Sequence, residues 1–219
     1  MHACFRNTLL ALGVASLLAG CATSRSVLEL PPAAPLAAAS KPANGKSVLI
    51  DNVSDRRLFE VNPGNPSEPS LDDAEKIDAG IKLRAVGRKR NTFGKALGDL
   101  VLKDGQSVET VTRGAIRQAF VERGYTVVER GTPAASSADL TVDARIDKFW
   151  SWMNPGFAAI TLSCEISTAL ELRSTDGRTT QTVYVKAADN YQTAMDGNWL
   201  EVINKAQRAY VEALKARLP

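Results

Sequence analysis

From residue 140 onward the chain alternates apolar and polar side chains with the period of a β-strand. Leu140, Val142, Ala144 and Ile146 fall on one face, and Thr141, Asp143, Arg145 and Asp147 on the other. After Asn154-Pro155-Gly156 the alternation resumes with Ile160, Leu162, Cys164, Ile166, Thr168, Leu170 and Leu172. Asp176-Gly177 supplies a hairpin turn, and Val183, Val185 and Ala187 make the returning strand. Three long antiparallel strands with one apolar face need a cover on that face only. Two segments switch to helical spacing and can supply it. Val108, Val111, Ala115, Ile116, Ala119 and Phe120 form one stripe, with Ser107 as N-cap and Gly124 past the end of a helix through Arg123. Leu200, Ile203, Tyr210 and Leu214 form the other, in a helix from Trp199 to about Arg217, and Asn198 with Glu201 has the spacing of a capping box.

Further strands are expected at Ser47 to Val53 and at Tyr125 to Val128. Ile81, Leu83 and Ala85 alternate as a short strand, to which Asp99 to Lys103 can pair. Residues 60 to 80 carry Pro63, Gly64, Pro66, Pro69 and Gly80 and predict a long loop, a kind of segment that is usually functional or mobile. The fold class is α+β: a mostly antiparallel sheet with two amphipathic helices packed on one face.

The amino terminus is different in kind. Arg6 is the only Lys or Arg in the first twenty residues, Leu9 to Leu18 is an apolar core, and small residues precede Cys21. These are the parts of a secretory signal. The apolar run is about half the ~20 residues that a transmembrane helix needs. Leu18-Ala19-Gly20-Cys21 resembles the lipobox of bacterial lipoproteins. The resemblance implies that residues 1–20 are cleaved and that Cys21, carrying diacylglycerol and an amino-terminal acyl chain such as palmitate, becomes the first mature residue. One acyl chain binds a membrane only marginally, whereas several anchor durably. In that family an aspartate after the cysteine favours inner-membrane retention. Ala22 therefore implies the outer membrane, periplasmic face.

Residues 21–46 follow as the lipidated cysteine and an Ala/Pro-rich stretch with Pro31-Pro32, Pro35 and Pro42, read as a disordered tether; a strand over Val27 to Leu30 is too short to prefer. Residues 47–219 fit one α+β domain. Arg6 leaves with the signal, so the mature chain carries 26 basic against 24 acidic residues, a bias too weak to point to nucleic acid.

Of three cysteines only Cys164 belongs to the domain, and its parity with Ile160, Leu162 and Ile166 makes it a buried, inert thiol. The one histidine, His2, lies in the signal. The mature chain therefore lacks the commonest acid–base side chain and the usual nitrogen ligand for zinc or copper. No phosphate-cradling glycine loop, nucleophile elbow or zinc spacing is present, so no catalytic residue, metal or cofactor is assigned.

A helix ending in Arg123-Gly124-Tyr125-Thr126-Val127, followed by Ala138-Asp139-Leu140-Thr141-Val142 and two long strands behind a lipobox, resembles the YajG-type lipoproteins. The element order is also similar to the amino-terminal domain of TolB and to the LpoB activators of peptidoglycan synthases. The resemblance implies address and architecture more than activity, and the segment from Pro63 to Lys95 departs from the shorter YajG pattern.

Two clusters are candidates for partner binding. Phe149, Trp150, Trp152, Met153 and Phe157 gather at a strand connection in a chain that is only 6% aromatic. They form either a docking tip for protein or lipid, or rings folded back as a satellite core over the sheet's end. Arg84, Arg88, Lys89, Arg90 and Lys95 form either a basic docking loop for phosphates and carboxylates, or a solvated flexible loop, the simpler account. Asp143, Arg145 and Asp147 share a strand face, and carboxylates four residues apart there are ~13 Å apart, too far to share one ion. The leading expectation is a membrane-anchored, non-enzymatic accessory lipoprotein that binds a cell-envelope protein or peptidoglycan. The alternatives are a wall-modifying enzyme using carboxylates such as Asp51 or Asp55, and a passive structural subunit of an envelope assembly.

Overall fold

A computed structural model of the chain describes residues 24–31 and 44–219. Cys21 and the signal segment lie outside the described residues. In chain order the elements are β1 (Ser26–Leu28), β2 (Ser47–Asp55), α1 (Asp73–Lys76), α2 (Ala79–Arg84), β3 (Ala85–Arg90), β4 (Ala96–Leu102), α3 (Val108–Glu122), β5 (Thr126–Val128), α4 (Pro133–Ser136), β6 (Leu140–Pro155), β7 (Ile160–Ser174), β8 (Gly177–Tyr191) and α5 (Asp196–Lys215).

The three strands with the clearest alternation form a meander in which β6, β7 and β8 pair antiparallel along nearly their whole length. Gly177, at φ 135°, lets the β7–β8 turn close around residues 175 and 176. The other edge of β6 is shared. β2 pairs in parallel with its amino-terminal half, and β3 in parallel with Ser151 and Trp152. β5 extends the sheet beyond β2, and β4 then β1 extend it beyond β3. The fold is α+β as expected, and the sheet is mixed and not purely antiparallel: the two longest pairings, β6–β7 and β7–β8, and the pairing β3–β4 are antiparallel, and the other four are parallel. Side-chain alternation tells which face a residue takes and is silent on strand direction.

Helices α3 and α5 cover one face. Ser107 accepts from Thr110 N at 3.1 Å, and Thr110 Oγ1 accepts from Ser107 N at 2.9 Å, so the start of α3 is capped reciprocally. Val108, Ala115, Ile116, Ala119 and Phe120 are buried as the spacing predicts, and Phe120 meets Tyr125 edge-to-face at 5.3 Å. Helix α5 buries Trp199, Val202, Ile203, Ala206, Tyr210, Val211 and Leu214, a broader stripe than the sequence suggests. It begins three residues before the expected start, and Asn198 serves as its third residue by accepting from Met195 N at 3.2 Å. Tyr210 Oη and Thr168 Oγ1 lie 2.8 Å apart in the core, so neither buried hydroxyl is left unpaired.

Two expectations fail here. The tether reading of 21–46 does not hold for residues 24–31: Ser26–Leu28 is a strand parallel to β4, and Leu28 and Leu30 are buried. So short a strand holds because it pairs with β4 and the core takes Leu28 and, two residues on, Leu30. Ile81 and Leu83 lie in a helix and not in a strand, since Asp78 caps α2 by accepting from Ile81 N at 3.1 Å, and only Ala85 of the expected stretch is in β3.

The segment from Arg56 to Arg84 is a second cover, laid over the opposite face of the sheet. Leu71, Phe59 and Ile81 pack on Trp150, Trp152 and Ala85, and Trp150 Nε1 donates to Pro66 O at 3.3 Å. Arg57 ties this strap down. Its guanidinium is buried and uses all five N–H groups. Asp55 takes two, at 2.9 and 2.7 Å, and the carbonyls of Ala85, Phe149 and Lys82 take the rest at 2.6, 3.0 and 2.8 Å. Among the described residues no helix is long and apolar enough to cross a membrane. Replacing Arg57 with Ala strands a buried carboxylate and three carbonyls, and is expected to cost about 3–5 kcal/mol in urea unfolding. A loss below about 1 kcal/mol would show that the strap is held by its apolar contacts alone.

Candidate functional site

Most residues that the sequence marks for partner binding are interior. Phe149 and Met153 point into the main core, and Trp150 and Trp152 point the other way, beneath the strap. Phe59 meets Trp150 edge-to-face at 5.9 Å, and Lys186 Nζ sits 4.9 Å from the centre of the Trp152 ring. The docking-tip reading is therefore corrected for these four residues, and the satellite-core alternative describes them. The cover comes from residues 59–81, which the sequence presents only as a proline-rich loop. Phe157 alone of the five projects into solvent.

The basic cluster is corrected in the same way, because Arg88, Lys89 and Arg90 form the buried strand β3 and not a solvated or docking loop. Alternation sends Arg88 and Arg90 toward the strap and Lys89 toward β1. Arg88 is ion-paired with Asp72 and stands 3.3 Å from Asp99. Arg90 donates to Ser70 Oγ at 3.0 Å and Gly94 O at 2.6 Å; burial, then the neighbouring Arg88, lowers its pKa. Lys89 donates to Ser26 Oγ at 2.7 Å and Ser24 O at 3.1 Å, and Ser26 bonds Asp196 at the start of α5. Arg84 is partly exposed and bonds Leu102 O and Asp104. Only Lys95 of this cluster is exposed. Asp99, buried beside Arg88 and Arg25, has its pKa raised by desolvation, which outweighs the two cations.

The carboxylates considered for chemistry are paired. Asp55 belongs to Arg57, and Asp51 accepts from Arg130 at 2.9 Å. Arg145 bonds Asp147 at 2.7 Å, and Arg173 bonds Asp143 at 2.5 Å, so this strand face is a set of surface ion pairs. Among the described residues no group of three or more His, Cys, Asp or Glu could hold a metal ion.

The structure adds a groove that sequence reasoning missed, of about 480 Å³, between α3 and the β2–β5 edge. Arg113, Arg117 and Arg130 line it. Arg113 donates to Ile50 O at 2.6 Å, Arg117 to Glu129 at 2.5 Å, and Arg130 to Asp51. Its charge is nearly matched by its own carboxylates. The i, i+4 spacing of Arg113 and Arg117 on the outer side of α3 was the available signal. A second unclaimed surface is the outer edge of β8, whose only partner among the described strands is β7.

No family model and no curated protein matches this chain. Among solved structures, it is similar to an uncharacterized protein at 10% identity and a TM-score of 0.47, covering 90% of this chain and 99% of that one. It is similar to protein XCC0632 from Xanthomonas campestris, described under the family model DUF330, at 12% identity and 0.42, covering 89% and 95%. It is also similar to lipoprotein GNA1162 from Neisseria meningitidis at 8% identity and 0.24, covering 76% and 98%. Likeness of this degree says nothing of ligand, activity or partner.

Cys164 is buried, and desolvation pushes its thiol up to about 12, against a small opposing hydrogen bond from Ser151. Alkylation by iodoacetamide at mildly alkaline pH is expected only as fast as the domain unfolds, followed by mass spectrometry. Fast labelling under native conditions would refute the buried assignment.

Glu165 bridges Lys148 at 2.8 Å and Lys186 at 3.3 Å. Burial works to raise its pKa, but Lys148, Tyr184 and Lys186 outweigh it and hold the carboxyl below its ordinary value. A lowered pKa contributes stability above the unfolded value of ~4.3, which is lost as pH falls through the folded value. Glu165→Gln is thus expected to cost about 1–3 kcal/mol near neutrality. The gap from the parent should shrink below about pH 4.3 in denaturant titrations; a constant gap would contradict the pairing.

Proposed function

We propose that this chain is a lipid-anchored, non-enzymatic accessory protein of the bacterial envelope, held by Cys21 at the periplasmic face of the outer membrane. It acts there by binding a cell-envelope protein or peptidoglycan. The observation that carries the reading is the sequence Leu18-Ala19-Gly20-Cys21, an apolar export signal ending in a lipidation motif. The geometry supports binding over turnover: Asp51 and Asp55, the carboxylates suited to acid–base work, are engaged by arginines. The unpaired edge of β8 supports a protein partner, because a row of free backbone donors and acceptors accepts an added strand.

Cys21→Ser tests the anchor. The parent is expected in the outer-membrane fraction, released only by detergent, and the variant in the soluble periplasmic extract. A variant that still sediments with membranes would defeat the reading.

A further inference from the structure

We propose that the sheet end from which the chain runs back to Cys21 rests on the bilayer, with Phe93 and Phe157 inserted at the headgroup–acyl boundary and Lys95 among the phosphates. This rests on the anchoring of Cys21 proposed above and gives the anchored domain an orientation.

One row of strand partners fixes which loops share that end. Ser26, Leu100, Gly87, Ser151, Cys164 and Ala187 are successive neighbours across β1, β4, β3, β6, β7 and β8. Moving from Ser26 toward the amino terminus leads, by the strand directions, to the start of β4, the ends of β3 and β6, the start of β7 and the end of β8. The connections beyond are residues 91–95, 156–159 and 192–195. Each exposes a large apolar side chain: Phe93 is 94% exposed, Phe157 fully so, and Met195 half. At the opposite end lie the β7–β8 turn and residues 103–105. There, the end of α2 beside the start of β3 exposes Leu83, but only to 40%, against 94% for Phe93 and full exposure for Phe157.

The covalent chain places the lipid at the same level. Ser24 is fixed against the sheet, since Lys89 Nζ bonds its carbonyl and a Cβ on Gly98 would come within 2.5 Å of the same oxygen. Three Cα–Cα steps separate Ser24 from Cys21, a reach of at most ~11 Å. Phe93 lies three residues beyond the start of β4, and Phe157 two residues beyond the end of β6. The acylated sulfur and both rings are therefore confined to one layer at one end of the molecule. Apolar side chains held there are buried in the boundary region of the membrane that the acyl chains enter, and the solvated Lys95 ammonium suits anionic headgroups.

The test uses the full lipidated protein, purified from membranes and reconstituted in phosphatidylethanolamine–phosphatidylglycerol vesicles. An environment-sensitive fluorophore is attached at Phe93→Cys, Phe157→Cys or, as control, Asp176→Cys in the β7–β8 turn. These side chains are exposed, so the fold tolerates each change, and the buried Cys164 stays unlabelled. Spin-labelled lipid is expected to quench the 93 and 157 probes roughly two-fold, as for groups ~5–10 Å into the boundary, and to leave the 176 probe unchanged. Protein that floats with vesicles while all three probes stay in water overturns the orientation and leaves the anchor standing. Blue-shifted probes at 93 and 157 without lipid quenching would mean that protein covers the tips, which also overturns it. An unmodified amino terminus by mass spectrometry, with no flotation, defeats the anchor itself and the orientation with it.

Discussion

The buried Arg57–Asp55 pair is the constraint on which the rest of the architecture turns. A guanidinium taken out of water costs several kcal/mol unless its charge and every N–H find partners. Here all five N–H groups do, through one carboxylate and three carbonyls from three different parts of the chain. The carbonyls belong to Lys82 in α2, Ala85 at the start of β3 and Phe149 in β6, so one side chain fixes where the strap leaves β2 and where it rejoins the sheet. With both ends set, Leu71 and Phe59 fall over Trp150 and Trp152, and a sheet that needed one cover acquires two.

That second cover changes what β3 can be. A strand reading Ala-Val-Gly-Arg-Lys-Arg belongs at a surface unless something neutralises it, and the strap brings Ser70 and Asp72 to do so. On the other side β1 brings Ser24 and Ser26 to Lys89, and Ser26 continues to Asp196 at the start of α5. The cationic strand thus joins the amino-terminal segment, the strap and the last helix through specific polar contacts. Removing any one layer would leave a buried positive charge without its partner, so the layers are expected to form cooperatively.

These relations explain what the sequence could and could not reveal. The alternation in β6 and β7 and the caps of α3 are local properties of consecutive residues, and they were legible. The fate of Trp150 and Trp152 was not, because periodicity puts them on the face away from the helices without saying whether another segment covers that face. Arg88, Lys89 and Arg90 misled for the opposite reason: their charges imply solvent, and the side chains that neutralise them lie eleven or more residues away in sequence. A strand over Val27 to Leu30 was set aside as too short because three or four residues carry no usable period, and the observed Ser26–Leu28 holds by pairing with β4. Leu28 and Leu30, set among prolines and alanines, were its one trace.

Placing β1 in the sheet also changes the mechanics of attachment. A flexible tether of 25 residues would let a domain wander ~25–30 Å from its anchor and tumble freely. Under the anchoring proposed at Cys21, the three Cα–Cα steps to Ser24 would allow a reach of only ~11 Å, so that one end of the sheet would face the lipid. The domain then has a lower pole with exposed phenylalanines, an upper pole with polar turns, and flanks that stand upright between them. The open edge of β8 is such a flank, fifteen residues of β-strand whose carboxy-terminal end lies at the lower pole. A partner adding a strand there would be gripped parallel or antiparallel to the membrane normal at a height set by the protein's own backbone. Under the anchoring proposed at Cys21, a sheet that begins only five residues later, at Ser26, would set both the pole that touches lipid and the direction in which a partner on β8 is presented.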